Sequence, residues 1–288
     1  PAPARAVAPY VFVAPPFVAI FVAFSVYPMV FTLRLSFTSW RGGSGAAQWV
    51  GLDNYAYLLG NEAFWSSLAN SGVLWLLIVP VQMVLALVVA VLLDNAKTRM
   101  RGFYRIAFLV PFVTPLVAVA QIWVVVFDRD YGAVNGLLNL VGLPDVGWLT
   151  TTQWAKPTLA LLFLWKTTGF IVVILLSGLQ SVDGSVYEAA SIDGAGPARR
   201  FWSITVPLVR RTLMFSVVLQ TLAVFQMFAE PFVVTDGGPY GSTTTAGLHL
   251  YDHINRADLG TGAANSFLLV IVVMALSLLF VRLLRTED

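Results

Sequence analysis

The stretch from Gly72 to Leu93, GVLWLLIVPVQMVLALVVAVLL, holds no charged side chain and has the length of a bilayer-spanning helix. A helix rises about 1.5 Å per residue, so about 20 apolar residues cross a hydrocarbon core. On either side the same criterion finds Tyr10 to Phe31, Phe103 to Phe127, Pro157 to Leu179, Leu213 to Phe232 and Asn265 to Leu284. Hydrophobic residues make up 58% of the 288-residue chain and charged residues 11%, where a soluble domain carries about 25%. Apolar segments recur from end to end and leave no stretch for a separate globular unit. The expected fold is an all-α membrane protein with six transmembrane helices, forming a single transmembrane domain over residues 1–288.

The remaining composition narrows the function class. The net charge of +2 is small, and the basic residues lie in short loops beside apolar segments, so nucleic acid is not implied. Without cysteine there is no disulfide framework, thiolate nucleophile or Cys-ligated metal. The first span lacks a strongly basic leader and a small-residue cleavage site, and it is too long for a signal peptide, so it is expected to remain in the mature protein.

Orientation follows from the loop cations. One side holds Arg5, Lys97, Arg99, Arg101, Arg105, Arg199, Arg200, Arg210, Arg211, Arg282 and Arg285, and the other holds Arg34, Arg41, Arg129, Lys156 and Arg256. Both termini are therefore expected in the cytoplasm, with Asp94 to Gly102 and Gln180 to Thr212 as the cytoplasmic loops. Proline recurs inside the spans, at Pro15, Pro16, Pro28, Pro80, Pro111 and Pro115. Each removes a backbone hydrogen bond, and together they suggest helices curved around a central path.

The loop at 181–208 reads as a helix-turn-helix between the fourth and fifth spans. Asp183 or Ser185 can cap its first helix, and Ser185 with Glu188 has capping-box spacing. Gly194 suits a left-handed helix end and Pro197 the first position of the next helix.

Here the chain resembles the permease subunits of binding-protein-dependent ABC importers. Their signature, Glu-Ala-Ala, three residues, Gly, nine residues, Ile-x-Leu-Pro, is met by Glu188, Ala189, Ala190, Gly194, Ile204 and Pro207, with Val206 where leucine is usual. The resemblance implies that this cytoplasmic loop docks into a cleft on an ATPase subunit and transmits its closure. Tyr187, Glu188, Asp193, Gly194 and Ala195 would belong to that contact, with Ala189 and Ala190 in close packing and Gly194 in the turn. A merely amphipathic loop is the plainer reading of the same residues.

Further matches imply a carbohydrate permease of the maltose and glycerol-phosphate type. They are Val50, Gly51, Leu52, Asp53, Asn54 and Tyr55; Pro111, Pro115, Trp123, Phe127, Gly132 and Asn135; and Trp165, Gly169 and Phe170. Thr235, Asp236, Gly237, Gly238, Pro239, Ser242 and Thr243 match an outer loop that in this group approaches the binding protein and the partner permease. The chain has no Gly-x-x-x-x-Gly-Lys-Ser/Thr phosphate loop, so ATP and magnesium are expected on partner ATPase subunits. The implied assembly joins a second permease, two ATPase subunits and an external substrate-binding protein in a bacterial cytoplasmic membrane.

Polar and aromatic residues within the spans are candidates for a sugar path: Gln121 and Trp123, Trp165, Lys166 and Thr168, and Gln220, Gln226 and Glu230. Gln226 and Glu230, four residues apart, are expected on one helix face. A charge such as Lys166 costs about 2.5 to 3.5 kcal/mol at mid-span, so it should face protein or water. It either lines the path or pairs with Glu230 or a helix carbonyl. His249 and His253 have helical metal-ligand spacing but no further clustered ligand, and are expected to be solvated. Trp40, Trp49, Trp65 and Trp148 are expected to be interfacial anchors. The competing readings are a secondary transporter or channel not driven by ATP, and an intramembrane enzyme. The latter needs a nucleophile and base at one depth, whereas both histidines lie in an outer loop.

Overall fold

The computed structural model describes residues 15–43, 45, 47–94 and 100–284. Ser44, Arg5, Lys97, Arg99, Arg285 and the first residues of the expected opening span lie outside the described residues. Among the described residues the regular structure is helical, apart from an isolated bridge between Thr38 and Trp49.

In chain order the helices are α1 (Pro15–Leu35), α2 (Asp53–Gly60), α3 (Glu62–Asp94), α4 (Arg101–Val113) and α5 (Leu116–Val126). Then come α6 (Ala133–Leu140), α7 (Thr152–Gln180), α8 (Gly184–Ile192), α9 (Pro197–Leu208) and α10 (Arg210–Phe225). The last are α11 (Ala229–Val234), α12 (Ala246–Asn255) and α13 (Leu259–Leu284). Four helices are long and apolar enough to cross a membrane alone, and six spans result if the bent pairs α4–α5 and α9–α10 each count once. The protein is a multi-pass membrane protein.

The spans differ from the expected ones in two ways. Helix α3 begins ten residues before Gly72 and continues through Pro80, and α7 starts at Thr152 and carries Pro157 inside it. By contrast, the expected third span is broken: α4 and α5 meet at 89°. Thr114 is extended (φ −71°, ψ 136°) and Pro115 caps α5. A residue before proline avoids the helical region, and proline has no N–H to continue the ladder. The expected fifth span is also discontinuous, since α10 ends at Phe225 and α11 starts at Ala229.

The chain divides into two compact units. The first comprises residues 1–62 and 250–270. Within it Asn54 Nδ2 donates to the carbonyls of Ser36 and Thr38 at 2.8 and 2.9 Å, and the Tyr55 hydroxyl lies 2.7 Å from Ser36 Oγ. Trp49 stacks on Phe37 at 5.4 Å between ring centres, so its ring is packed as well as exposed.

The second unit comprises residues 63–249 and 271–288. Its core is built on α3 and α7, where Leu74, Ile78, Leu159, Leu162, Ile171 and Leu175 are fully buried. Lipid tails are as apolar as leucine, so this core is held by close packing rather than by escape from water. The tightest approach is at Gly169, where a Cβ would stand 1.7 Å from the Phe108 carbonyl oxygen of α4. Trp148 packs edge-on against Phe127 and Trp154 and donates to Asn135 Oδ1 at 2.9 Å, which makes it part of a folded loop rather than only a membrane anchor. His249 is buried beside Phe64, not solvated as expected. His253 lies 3.4 Å from Asp258, and no group of three potential metal ligands occurs among the described residues.

Candidate functional site

Two places carry most of the candidate residues, an exposed helical pair and an open cavity. The pair is α8 and α9. Asp183 is the N-cap of α8, its Oδ1 accepting from the Ser185 amide at 2.9 Å, so the Ser185–Glu188 capping box is not used. That amide, with the Ser185 hydroxyl, holds the Asp183 carboxyl below the usual carboxylate range. At the other end Asp193 is the C-cap and Gly194 follows at φ +73°. The amide of Ala195 donates to Ala190 O at 2.9 Å and that of Gly194 to Ser191 O at 3.2 Å. This pattern satisfies the last carbonyls and reverses the chain, and it needs the left-handed conformation that glycine adopts without penalty.

Pro197 then opens α9 at its first turn. Arg200 Nη1 donates to Ser191 Oγ at 2.9 Å, and Ser191 Oγ to Tyr187 O at 2.7 Å, which ties the two helices together. Glu188 and Ala189 are exposed, and Ala190 is buried. Ala190 therefore packs within the chain, while Ala189 presents its small side chain outside. Ile192 is 87% exposed and Trp202 63% exposed, so the knob shows apolar surface at its tip. Ile204 lies in a π-helical turn over Phe201–Thr205, and Pro207 in the last turn before Val209, where the chain bends 71° into α10. A π turn widens the helix by one residue and is a recurrent functional feature of helices. Behind the knob a cavity of about 450 Å³ is lined by Tyr187, Arg200, Phe201 and Thr205 together with Val91 and Asp94.

The second place is an open cavity with a volume of about 400 Å³, within the usual range for small-molecule sites. Gln220, Gln226 and Glu230 all line it. Gln226 caps α10 and Glu230 sits in the first turn of α11, so the two share a cavity across a helix break rather than one continuous helix face. The break is supported from α12: Thr245 Oγ1 donates to Met227 O, and a Cβ on Gly247 would lie 2.7 Å from the carbonyl oxygens of Gln226 and Met227. Aromatic walls come from Phe112 and Phe170, stacked at 4.5 Å, and from Phe163 and Phe228.

Lys166 is not part of that wall. Its Nζ donates to the carbonyls of Thr114, Phe112 and Pro111 at 2.9, 3.2 and 3.4 Å, where α4 ends at the other break. Of the alternatives for this side chain, the geometry is that of a helix-carbonyl partner. Trp123 and Trp165 form an aromatic contact at 6.2 Å outside the cavity lining, and Gln121 is exposed. Thr168 donates to its own helix at Leu164 O, 2.6 Å away. Sequence reasoning missed Thr167, which lines the cavity and accepts from Gln82 Nε2 at 2.7 Å while donating to Phe163 O at 2.8 Å. The buried Gln82, a polar residue in the middle of the stretch 72–93, was the available signal.

The loop at 235–243, expected on the outer side, is a closed turn. Thr235 and Thr243 hydroxyls meet at 2.7 Å, Thr243 donates to Gly238 O at 2.7 Å, and Asn70 Nδ2 donates to the carbonyls of Gly241 and Thr244 at 2.9 Å each. Gly237 lies at φ +76°, and a Cβ there would come within 2.6 Å of Thr244 Oγ1. Pro239 and Asp236 belong to the same turn, and Tyr240 at its tip is fully exposed.

Residues 82–286 match the family described as binding-protein-dependent transport system inner membrane component. The chain is 33% identical to a sulfoquinovosyl glycerol transport system permease protein of Agrobacterium fabrum, over 91% of this chain and 86% of the relative. It is 33% identical to a lactose transport system permease protein of Rhizobium radiobacter, over 94% and 91%. A trehalose/maltose transport system permease protein of Thermococcus litoralis is 32% identical, again over 94% and 91%. Among solved structures, a chain of a bacterial alginate ABC transporter, crystallised with an alginate pentasaccharide-bound periplasmic protein, superposes with a TM-score of 0.84. That match covers 99% of this chain and 98% of the other at 20% identity, and so speaks to the fold.

Proposed function

The chain belongs to the family of binding-protein-dependent transport inner membrane components, and from that premise we propose that it is a permease subunit of an ATP-driven carbohydrate importer. It works as one permease domain in a bacterial cytoplasmic membrane, with six spans, both termini in the cytoplasm and no catalytic site of its own. The knob of α8 and α9 docks in an ATPase subunit, which binds ATP and magnesium, and the turn at 235–243 faces the external binding protein or the second permease. The cavity at the two helix breaks is the solute path, with Gln220, Gln226 and Glu230 as its polar groups.

The observation that carries this reading is the exposed knob: Glu188, Ala189 and the Gly194 turn stand at the surface on a pair of helices locked by Arg200 and Ser191. Its rigid connection through α9 into α10 gives ATPase closure a lever on the cavity, switching access from one side to the other. Replacing Glu188 and Gly194 by tryptophan is expected to abolish cargo-stimulated ATP hydrolysis by the reconstituted importer. Full stimulation by both variants would overturn the docking role. Uptake that persists without the ATPase subunits would favour a secondary transporter instead.

A further inference from the structure

The cavity at the helix breaks has an uneven charge inventory. Of its lining side chains only Glu230 is ionisable, and the other polar ones, Thr167, Gln220 and Gln226, are neutral. Glu230 is 8% exposed and sits in the first turn of α11, so the positive end of that short helix already has its anion. Lys166 is outside the lining, with its ammonium held by three carbonyl oxygens at 2.9 to 3.4 Å. A sulfonate, phosphate or carboxylate entering here meets a like charge and no guanidinium or ammonium to pair with. Two like charges held close together without a counter-ion repel each other. Phe112, Phe163, Phe170 and Phe228 give the lining an aromatic character, which suits an uncharged sugar ring or, through the π clouds, a cation.

Resting on the reading of this cavity as the solute path, we propose that it selects by charge. It passes neutral oligosaccharides or amino sugars and rejects sulfonated, phosphorylated and uronic sugars, with Glu230 setting the discrimination.

The chain has no cysteine, so a single Ala223→Cys variant places one thiol on the cavity wall. The assembled importer in membrane vesicles is treated at neutral pH with cationic 2-(trimethylammonium)ethyl or anionic 2-sulfonatoethyl methanethiosulfonate. The thiolate attacks the sulfenyl sulfur, forms a mixed disulfide and releases methanesulfinate. Each rate is divided by that of the same reagent with a free small thiol. The cation should be favoured about tenfold or more, the lower end of what a focused field gives. Glu230→Gln should bring the ratio close to one, and Glu230→Asp should keep it. A ratio at or below one in the Ala223→Cys protein, or one unmoved by Glu230→Gln, overturns the charge inference and leaves the path intact. No labelling by either reagent in resting or ATP-driven vesicles removes the cavity from the path, and the reading beneath fails with it.

Discussion

Helices α3 and α7 run unbroken for 33 and 29 residues, while α4–α5 and α10–α11 are each interrupted. Proline does not by itself make the difference. Pro80 and Pro157 lie within continuous helices, Pro115 marks one break, and the gap after Phe225 contains no proline at all. What separates the two regions is a partner for the freed carbonyls. Lys166 serves Pro111, Phe112 and Thr114, and Thr245 serves Met227. Unpaired backbone in a membrane costs several kcal/mol per group, so a break persists only where such partners exist. Continuous α7, through Phe163, Thr167 and Phe170, supplies one wall of the cavity, and the interrupted α4 and α10–α11 supply the rest.

Substitutions in the continuous helices and at the breaks should therefore behave differently. The largest effect is expected from Gly169→Ala, because the new methyl would overlap the Phe108 carbonyl at 1.7 Å and backbone, unlike a side chain, cannot rotate away. Overpacking usually costs about 1 to 3 kcal/mol, and this site should exceed that range, seen as loss of membrane-inserted protein. A normal yield would show that α4 is free to move from α7. Next comes Lys166→Met, which strips three carbonyls of a charged donor and should destabilise by about 1.5 to 3 kcal/mol. The measurement is the thermal midpoint of the purified importer alongside uptake. Lost uptake with an unchanged midpoint would return Lys166 to the solute path and blur the contrast drawn above.

A smaller effect is expected from Gly194→Val, which forces a β-branched residue to φ +73° at a cost of about 1 to 2 kcal/mol, confined to the knob. Cargo-stimulated ATP hydrolysis should fall while the protein still accumulates. The smallest is the cap at Asp183. Its folded carboxyl titrates below its unfolded value, so the cap contributes above the ordinary aspartate range and is lost as pH falls through the folded value. Asp183→Ala at neutral pH, or the native chain in acid, should lower amide protection across residues 184–187 a few-fold, each exchange rate being divided by the intrinsic rate at that pH. Unchanged exchange would mean that α8 is held by Arg200 and Ser191 alone.

The sequence by itself determined the membrane class, the helical content, the Gly194 end of α8 and the Pro197 start of α9, and it narrowed the N-cap of α8 to Asp183 or Ser185. These follow from local rules: apolar run length, capping chemistry and the steric freedom of glycine act within a few residues of one another. The tertiary structure alone decided that Pro80 stays in a helix while Thr114–Pro115 breaks one, that Gln226 and Glu230 meet across a gap, and that Lys166 serves α4 from α7. It also brought Thr167 to the cavity, paired with the buried Gln82, and sent Trp123, Trp165 and Gln121 elsewhere. The partners at the two breaks and at Gln82 lie 18 to 85 residues away in the chain, and whether a polar group in lipid-depth packing faces a cavity, a carbonyl or a ring is fixed only when that partner arrives.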